Sequence, residues 1–224
     1  MIASAFNNKK STEAGFTLVE IAIVLVIIGL LLGGILKGQE MITQAKIKNA
    51  VNDFNGVTVA VTSYQDRYRF LPGDDTGATA RWTTQAPASG NGNGVVAGSY
   101  NDVDPTTESH LFWQHLRIAG FVPGLTTGAG SGSPPPNAVG GIVGVENAVV
   151  ATNGLGFTSL IICSSNVPDK VAIAVDTQAD DGVSGTGQVR AQLQTSANPP
   201  TVAAPNVSAY VETGVNQYLL CKNY

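Results

Sequence analysis

The sequence predicts an α+β fold: a long N-terminal α-helix, its hydrophobic first half protruding, its second half packed on a small, mostly antiparallel β-sheet head. Three observations predict it. Residues 16–36 form an apolar run interrupted by a single charge, Glu20. A helical repeat of apolar residues continues from that run to Tyr68. Beyond Leu71 the composition shifts to Gly, Ser, Thr, Asn, Val and Ala, with short β-branched runs between turn residues. The averages agree with one main domain. Of 224 residues, 43% are hydrophobic, enough for a core, while only 12% are charged, about half the usual share. A net charge of −4 argues against a basic nucleic-acid-binding face. Two cysteines and two histidines leave little material for a zinc cluster or a disulfide-dense scaffold.

The first element follows from length. At about 1.5 Å per residue, the run 16–36 spans roughly 30 Å as a helix, the thickness of a bilayer's hydrocarbon core. A cleaved secretory signal has a core of roughly 7 to 15 apolar residues and a small-residue cleavage site. Here the run is longer and ends in Lys37-Gly38-Gln39-Glu40. A plain anchor leaves Glu20 unexplained, because an acid within the membrane is costly and marks a function with a partner.

The helix continues as an amphipathic half. Ile47, Val51, Phe54, Val57 with Thr58, Val61, Tyr64 and Tyr68 recur at spacings of three and four, with Lys46, Lys48, Asn49, Asn52, Asp53 and Asn55 opposite. Leu71-Pro72-Gly73-Asp74-Asp75 stops it. A continuous helix from Phe16 to Tyr68 would measure about 80 Å. In the head, Asp104 as N-cap and Pro105 as first residue predict a short helix ending at Ala119, with Trp113 packed inward. Strands are expected over 156–163, 170–176, 188–193 and 217–222, and a loop over 126–136.

The string Gly15-Phe16-Thr17-Leu18-Val19-Glu20, followed by Ile21-Ala22-Ile23-Val24-Leu25-Val26-Ile27-Ile28-Gly29, resembles the N-terminus of type IV pilins and type II secretion pseudopilins. The resemblance implies a pilin-like fold. It implies a leader over 1–15, cleavage between Gly15 and Phe16, and N-methylation of Phe16. It divides the remainder into an N-terminal helix over 16–70 (membrane or filament segment 16–36, amphipathic half 37–70) and an extracytoplasmic head over 71–224. It makes Phe16 and Glu20 the assembly residues, Glu20 pairing with the terminus of a neighbouring subunit. The proline that major pilins often carry is replaced by Lys37, which leans towards pseudopilins or minor pilins. Weaker resemblance lies in Tyr68-Arg69-Phe70-Leu71-Pro72-Gly73-Asp74, Phe112-Trp113-Gln114-His115-Leu116 and Asp180-Asp181-Gly182.

In that extracytoplasmic setting Cys163 and Cys221 are expected to form a disulfide, two separate thiols being the alternative. Asp176, Asp180 and Asp181 read first as turn residues between strands, with calcium ligation as the other reading. His110 and His115 are five residues apart and do not share a helix face, so they read as solvated or capping rather than metal-binding. The glycine-rich stretch 88–94 lacks the spacing, the following helix and the lysine of a phosphate cradle. Asp74 and Asp75, after Pro-Gly, read as turn residues rather than an acid/base pair. No cofactor, metal or catalytic constellation emerges, and an enzyme is not expected.

The resemblance therefore implies a structural subunit of a type IV pilus or type II secretion pseudopilus. It would sit in the bacterial inner membrane as a single-pass prepilin, then in a periplasmic or cell-surface filament. Implied partners are other pilin-like subunits, a prepilin peptidase/methylase, an inner-membrane assembly platform and a cytoplasmic ATPase, with no nucleic acid. The alternative is a minor pilin whose head is a filament-tip binding or adhesion module.

Overall fold

A computed structural model describes residues 15–149 and 151–224. The expected leader therefore lies, except for Gly15, outside the described residues. The chain forms two compact units, one ending at Ile42 and the other covering Thr43–Tyr224. Helix α1, Leu18–Tyr68, contributes to both.

In the first unit every large apolar side chain from position 16 to 36 is exposed, from Ile28 at 46% to Leu18 at 86%. In the second unit α1 buries Ile47, Ala50, Phe54, Val57, Ala60, Val61 and Tyr64, the stripe read from the spacing. Two short helices follow, α2 (Ala78–Arg81) and α3 (Glu108–Ile118). Strand β1 (Val143–Asn147) precedes β2 (Leu160–Pro168), helix α4 (Asp169–Ala179), β3 (Val189–Leu193) and β4 (Gln217–Asn223).

The strands form one antiparallel sheet in the order β1-β2-β4-β3. The two-residue alternation of strands divides its side chains between two clusters. Val143, Val145, Leu160, Ile162, Val189, Ala191, Tyr218 and Leu220 join the helical residues in the main core. Ile161, Cys163, Leu219 and Cys221 point the other way, against Tyr100, Ala148, Leu155 and Phe157. Both faces of the sheet are thus covered.

Several expected boundaries move. Residues 170–176, expected as a strand, are the body of α4: Val171, Ala172, Val175 and Asp176 are buried, a helical spacing that outweighs the β-branched composition. Asp176 therefore lies within a helix, and Asp180 and Asp181 follow its end, where a turn between two strands is expected. The strand expected over 156–163 begins four residues later, because 154–156 form a 3-10 turn with Leu155 at φ 54°. Strand β1 was not expected. Its Gly144 lies so close to Tyr100 that a Cβ there would stand 2.0 Å from the Tyr100 carbonyl oxygen. Helix α3 starts at Glu108 rather than Pro105. Asp104 caps a preceding turn instead, its Oδ1 accepting from the Thr106 N–H at 2.9 Å and the Thr106 hydroxyl at 2.7 Å.

Candidate functional site

Two places carry the chemistry singled out by the sequence: the start of α1, and the polar groups that hold the head together. At the helix start, Gly15 and Phe16 precede α1 and are exposed. The Thr17 N–H and hydroxyl each donate to Glu20 Oε2 at 2.8 Å, and the Glu20 N–H donates to Thr17 Oγ1 at 3.2 Å. This is a capping box, a reciprocal pairing of two otherwise unsatisfied donors of the first turn. Glu20 is therefore engaged within its own chain, on a surface otherwise lined by apolar side chains.

In the head, the turn after α1 supplies two buried carboxylates with separate tasks. Asp75 accepts from the Tyr64 hydroxyl at 2.7 Å, the Gly77 N–H at 2.8 Å and Arg81 Nη1 at 2.5 Å. Burial alone would push the Asp75 carboxyl up; these hydrogen bonds and the Arg81 charge outweigh it and hold it below the usual carboxylate range. Arg81 also lies over the Tyr68 ring, 4.3 Å from its centroid. Asp74 accepts from the Gly92 and Asn93 N–H groups at Oδ1 (2.6 and 3.1 Å) and from the Gly94 N–H at Oδ2 (2.7 Å). The glycine-rich loop is thus an anion cradle whose occupant is the chain's own carboxylate. Glu108 fixes the same loop, accepting from the Asn91 and Ala97 N–H groups at 3.0 and 2.9 Å. Gly73 permits this turn: at φ +86° it passes so near α3 that a Cβ would lie 2.3 Å from the Glu108 carbonyl oxygen.

The histidines are not solvated. His115 is fully buried and stacked on Tyr64, with centroids 6.3 Å apart, and His110 is 8% exposed. The Gly73 N–H donates to His115 Nδ1 at 3.0 Å, so that nitrogen is bare, and Nε2 carries the hydrogen and donates to the Ala88 carbonyl at 2.9 Å. The ring is a neutral cross-link between two loops, a role that the spacing of the two histidines could not reveal. Burial lowers its pKa, against the opposing effects of Ala88 and Asp75. Because the unfolded chain then binds protons more readily below about pH 6.5, this residue withdraws stability as pH falls from there through its folded pKa. NMR titration of the folded protein should place the His115 midpoint below that of an unfolded-chain histidine; a midpoint at or above it contradicts the neutral cross-link.

Asp176, Asp180 and Asp181 do come together, with one carboxylate oxygen from each within 4.8 Å of the others. Their oxygens are taken up internally. Asp176 accepts from the Tyr210 hydroxyl and the Gly182 N–H, Asp180 from the Gln188 and Val189 N–H groups, and Asp181 from the Val183 N–H and the Thr186 hydroxyl. That pattern fits turn chemistry. Burial and the two neighbouring acids push the Asp176 carboxyl up, against the Tyr210 and Gly182 bonds.

Cys163 and Cys221 face each other across β2 and β4 and are joined as a disulfide, Cα atoms 4.0 Å apart. Arg117, with no distinguishing sequence signal, is 8% exposed and donates to the carbonyls of Gly130, Ser131 and Ser133. It pins the loop 126–136, whose own residues offer few anchoring side chains.

Residues 10–36 match the family model described as the prokaryotic N-terminal methylation motif. No curated protein matches the chain.

Proposed function

We propose that this chain, which carries the N-terminal methylation motif that is the signature of type IV pilins and pseudopilins, is a structural subunit of a type IV pilus or type II secretion pseudopilus. It is made as a prepilin held in the inner membrane by α1, cleaved between Gly15 and Phe16, methylated on the new Phe16 amine, and polymerised with other pilin-like subunits through the same helix. The prepilin peptidase/methylase and an inner-membrane platform act on it. The head is then carried on a periplasmic or surface filament, and its work is structural rather than enzymatic.

The observation that carries this reading is the exposed apolar helix surface over 16–36 beneath a single carboxylate. Such a surface calls for lipid or for other apolar helices, and beyond the first turn its backbone groups are satisfied within the helix. Cleavage would place a positive amine four residues from Glu20. Each lone charge is costly in an apolar medium, and pairing the amine with Glu20 of a neighbouring copy favours docking in register. Mass spectrometry of the N-terminal peptide, from membrane and sheared-surface fractions, tests the reading. A peptide beginning at N-methylated Phe16 is expected, and its presence in sheared material favours a surface pilus over a short pseudopilus. An intact leader on mature protein in the native host overturns it.

A further inference from the structure

The cradle around Asp74 contains a chemical hazard. Asn91-Gly92 and Asn93-Gly94 are consecutive Asn-Gly pairs, and all four residues are exposed. In such a pair the backbone nitrogen of glycine can lose its proton to solvent base and attack the asparagine Cγ. A bond forms between that nitrogen and Cγ, the bond from Cγ to the side-chain nitrogen breaks, and ammonia leaves. Water then opens the cyclic imide to aspartate or isoaspartate. The reaction needs the glycine nitrogen to be deprotonated and free to swing onto the side chain.

Both attacking nitrogens are held by one group. Gly92 donates to Asp74 Oδ1 at 2.6 Å and Gly94 to Asp74 Oδ2 at 2.7 Å, and Asp74 itself is 2% exposed. A fixed negative charge against an N–H opposes formation of the nitrogen anion, and the hydrogen bond directs the nitrogen at the carboxylate instead of at Cγ. The asparagine side chains are also engaged, Asn91 Oδ1 accepting from the Asn93 N–H at 3.0 Å and Asn93 Oδ1 from the Val95 N–H at 2.8 Å. We infer that Asp74 is a protecting residue, which shields two latent deamidation sites, Asn91 and Asn93, from self-modification in the folded head. A third Asn-Gly pair, Asn153-Gly154 at the start of the 3-10 turn, provides an internal reference, since the Gly154 N–H donates at 3.0 Å to Thr201 Oγ1, away from Asp74.

The test is incubation of the full-length protein in detergent at mildly alkaline pH, with peptide mass spectrometry of Asn91, Asn93 and Asn153 and isoaspartate detection over time. In native wild-type protein Asn91 and Asn93 are expected to deamidate at least about tenfold more slowly than in the same chain in urea, the factor set by one charge-assisted hydrogen bond. Asp74→Asn keeps the shape and removes the charge. In that variant both sites should accelerate by about the same factor while Asn153 stays at its wild-type rate. Equal native and urea rates at Asn91 and Asn93 in wild-type protein overturn the inference, whether or not the variant folds. So does a folded Asp74→Asn protein whose two sites react at or below the wild-type rate, which would make the carboxylate a bystander or a base. Acceleration of Asn153 as well would mean that the effect is unfolding rather than lost shielding.

Discussion

Glu20→Gln is expected to cut filament yield by about tenfold or more while leaving leader cleavage and the folding of the head unchanged. The choice of glutamine follows from the capping box. Glutamine can still accept from Thr17, so the first turn of α1 keeps its cap, and only the negative charge is lost. Thr17→Val is the complementary change: it removes the capping hydroxyl, worth about 1 kcal/mol, and keeps the carboxylate. If charge pairing between subunits drives docking, Glu20→Gln fails to assemble and Thr17→Val assembles. The reverse order would show that helix capping, and not the ion pair, is what assembly requires. Filament recovery after shearing, set against the amount of processed subunit in the membrane, measures both.

The largest effect on stability is expected at the sulfurs. Replacing Cys163 and Cys221 together with alanine releases a bridge spanning 58 residues, a loss of about 4 kcal/mol in the chain-entropy picture. Urea unfolding of the wild-type and double-alanine proteins would read this as a lowered midpoint. Thiol labelling in urea without reductant should find no reactive sulfur in the wild type; two labelled thiols would mean that the pair is reduced and that the penalty is one of packing alone.

The parts of the fold legible in the sequence were those in which composition and period agree. From Ile47 to Tyr64 every apolar position of the helical stripe is buried or half-buried, because a long element repeats its signal many times. β3 and β4 fall within a residue of their expected limits. Short elements gave way to tertiary context. In α4, Val171-Ala172-Ile173-Ala174-Val175 has the composition of a strand, yet it packs as a helix started by Asp169, whose carboxylate accepts from the N–H groups of Lys170, Thr213 and Gly214. The spacing of Val171, Ala172, Val175 and Asp176 was the signal that could have revealed it. β1 was hidden by Gly144 and by Glu146, a fully buried acid whose carboxyl is raised by burial. Its acceptors serve the nearby Asn153 and also Tyr100 N–H and Thr201, two partners distant in sequence and so invisible to any local pattern. The same applies to Asp74, whose partners come only with the return of the loop 88–94, and to His115, whose ring joins that loop at Ala88 to the turn at Gly73.

The order of strands also bears on when the head can fold. β4, the most C-terminal strand, lies between β2 and β3, so neither of these has its central neighbour until residues 217–223 have been synthesised. An N-terminal portion of the head emerging first would carry Val189 and Ala191 of β3 with no neighbouring strand, Leu160 and Ile162 of β2 with β1 alone beside them, and Cys163 with no sulfur to meet. The sheet of this head is therefore completed only when β4 joins it. On the proposed route across a membrane, such a chain stays pliable in transit and becomes rigid only once β4 has arrived.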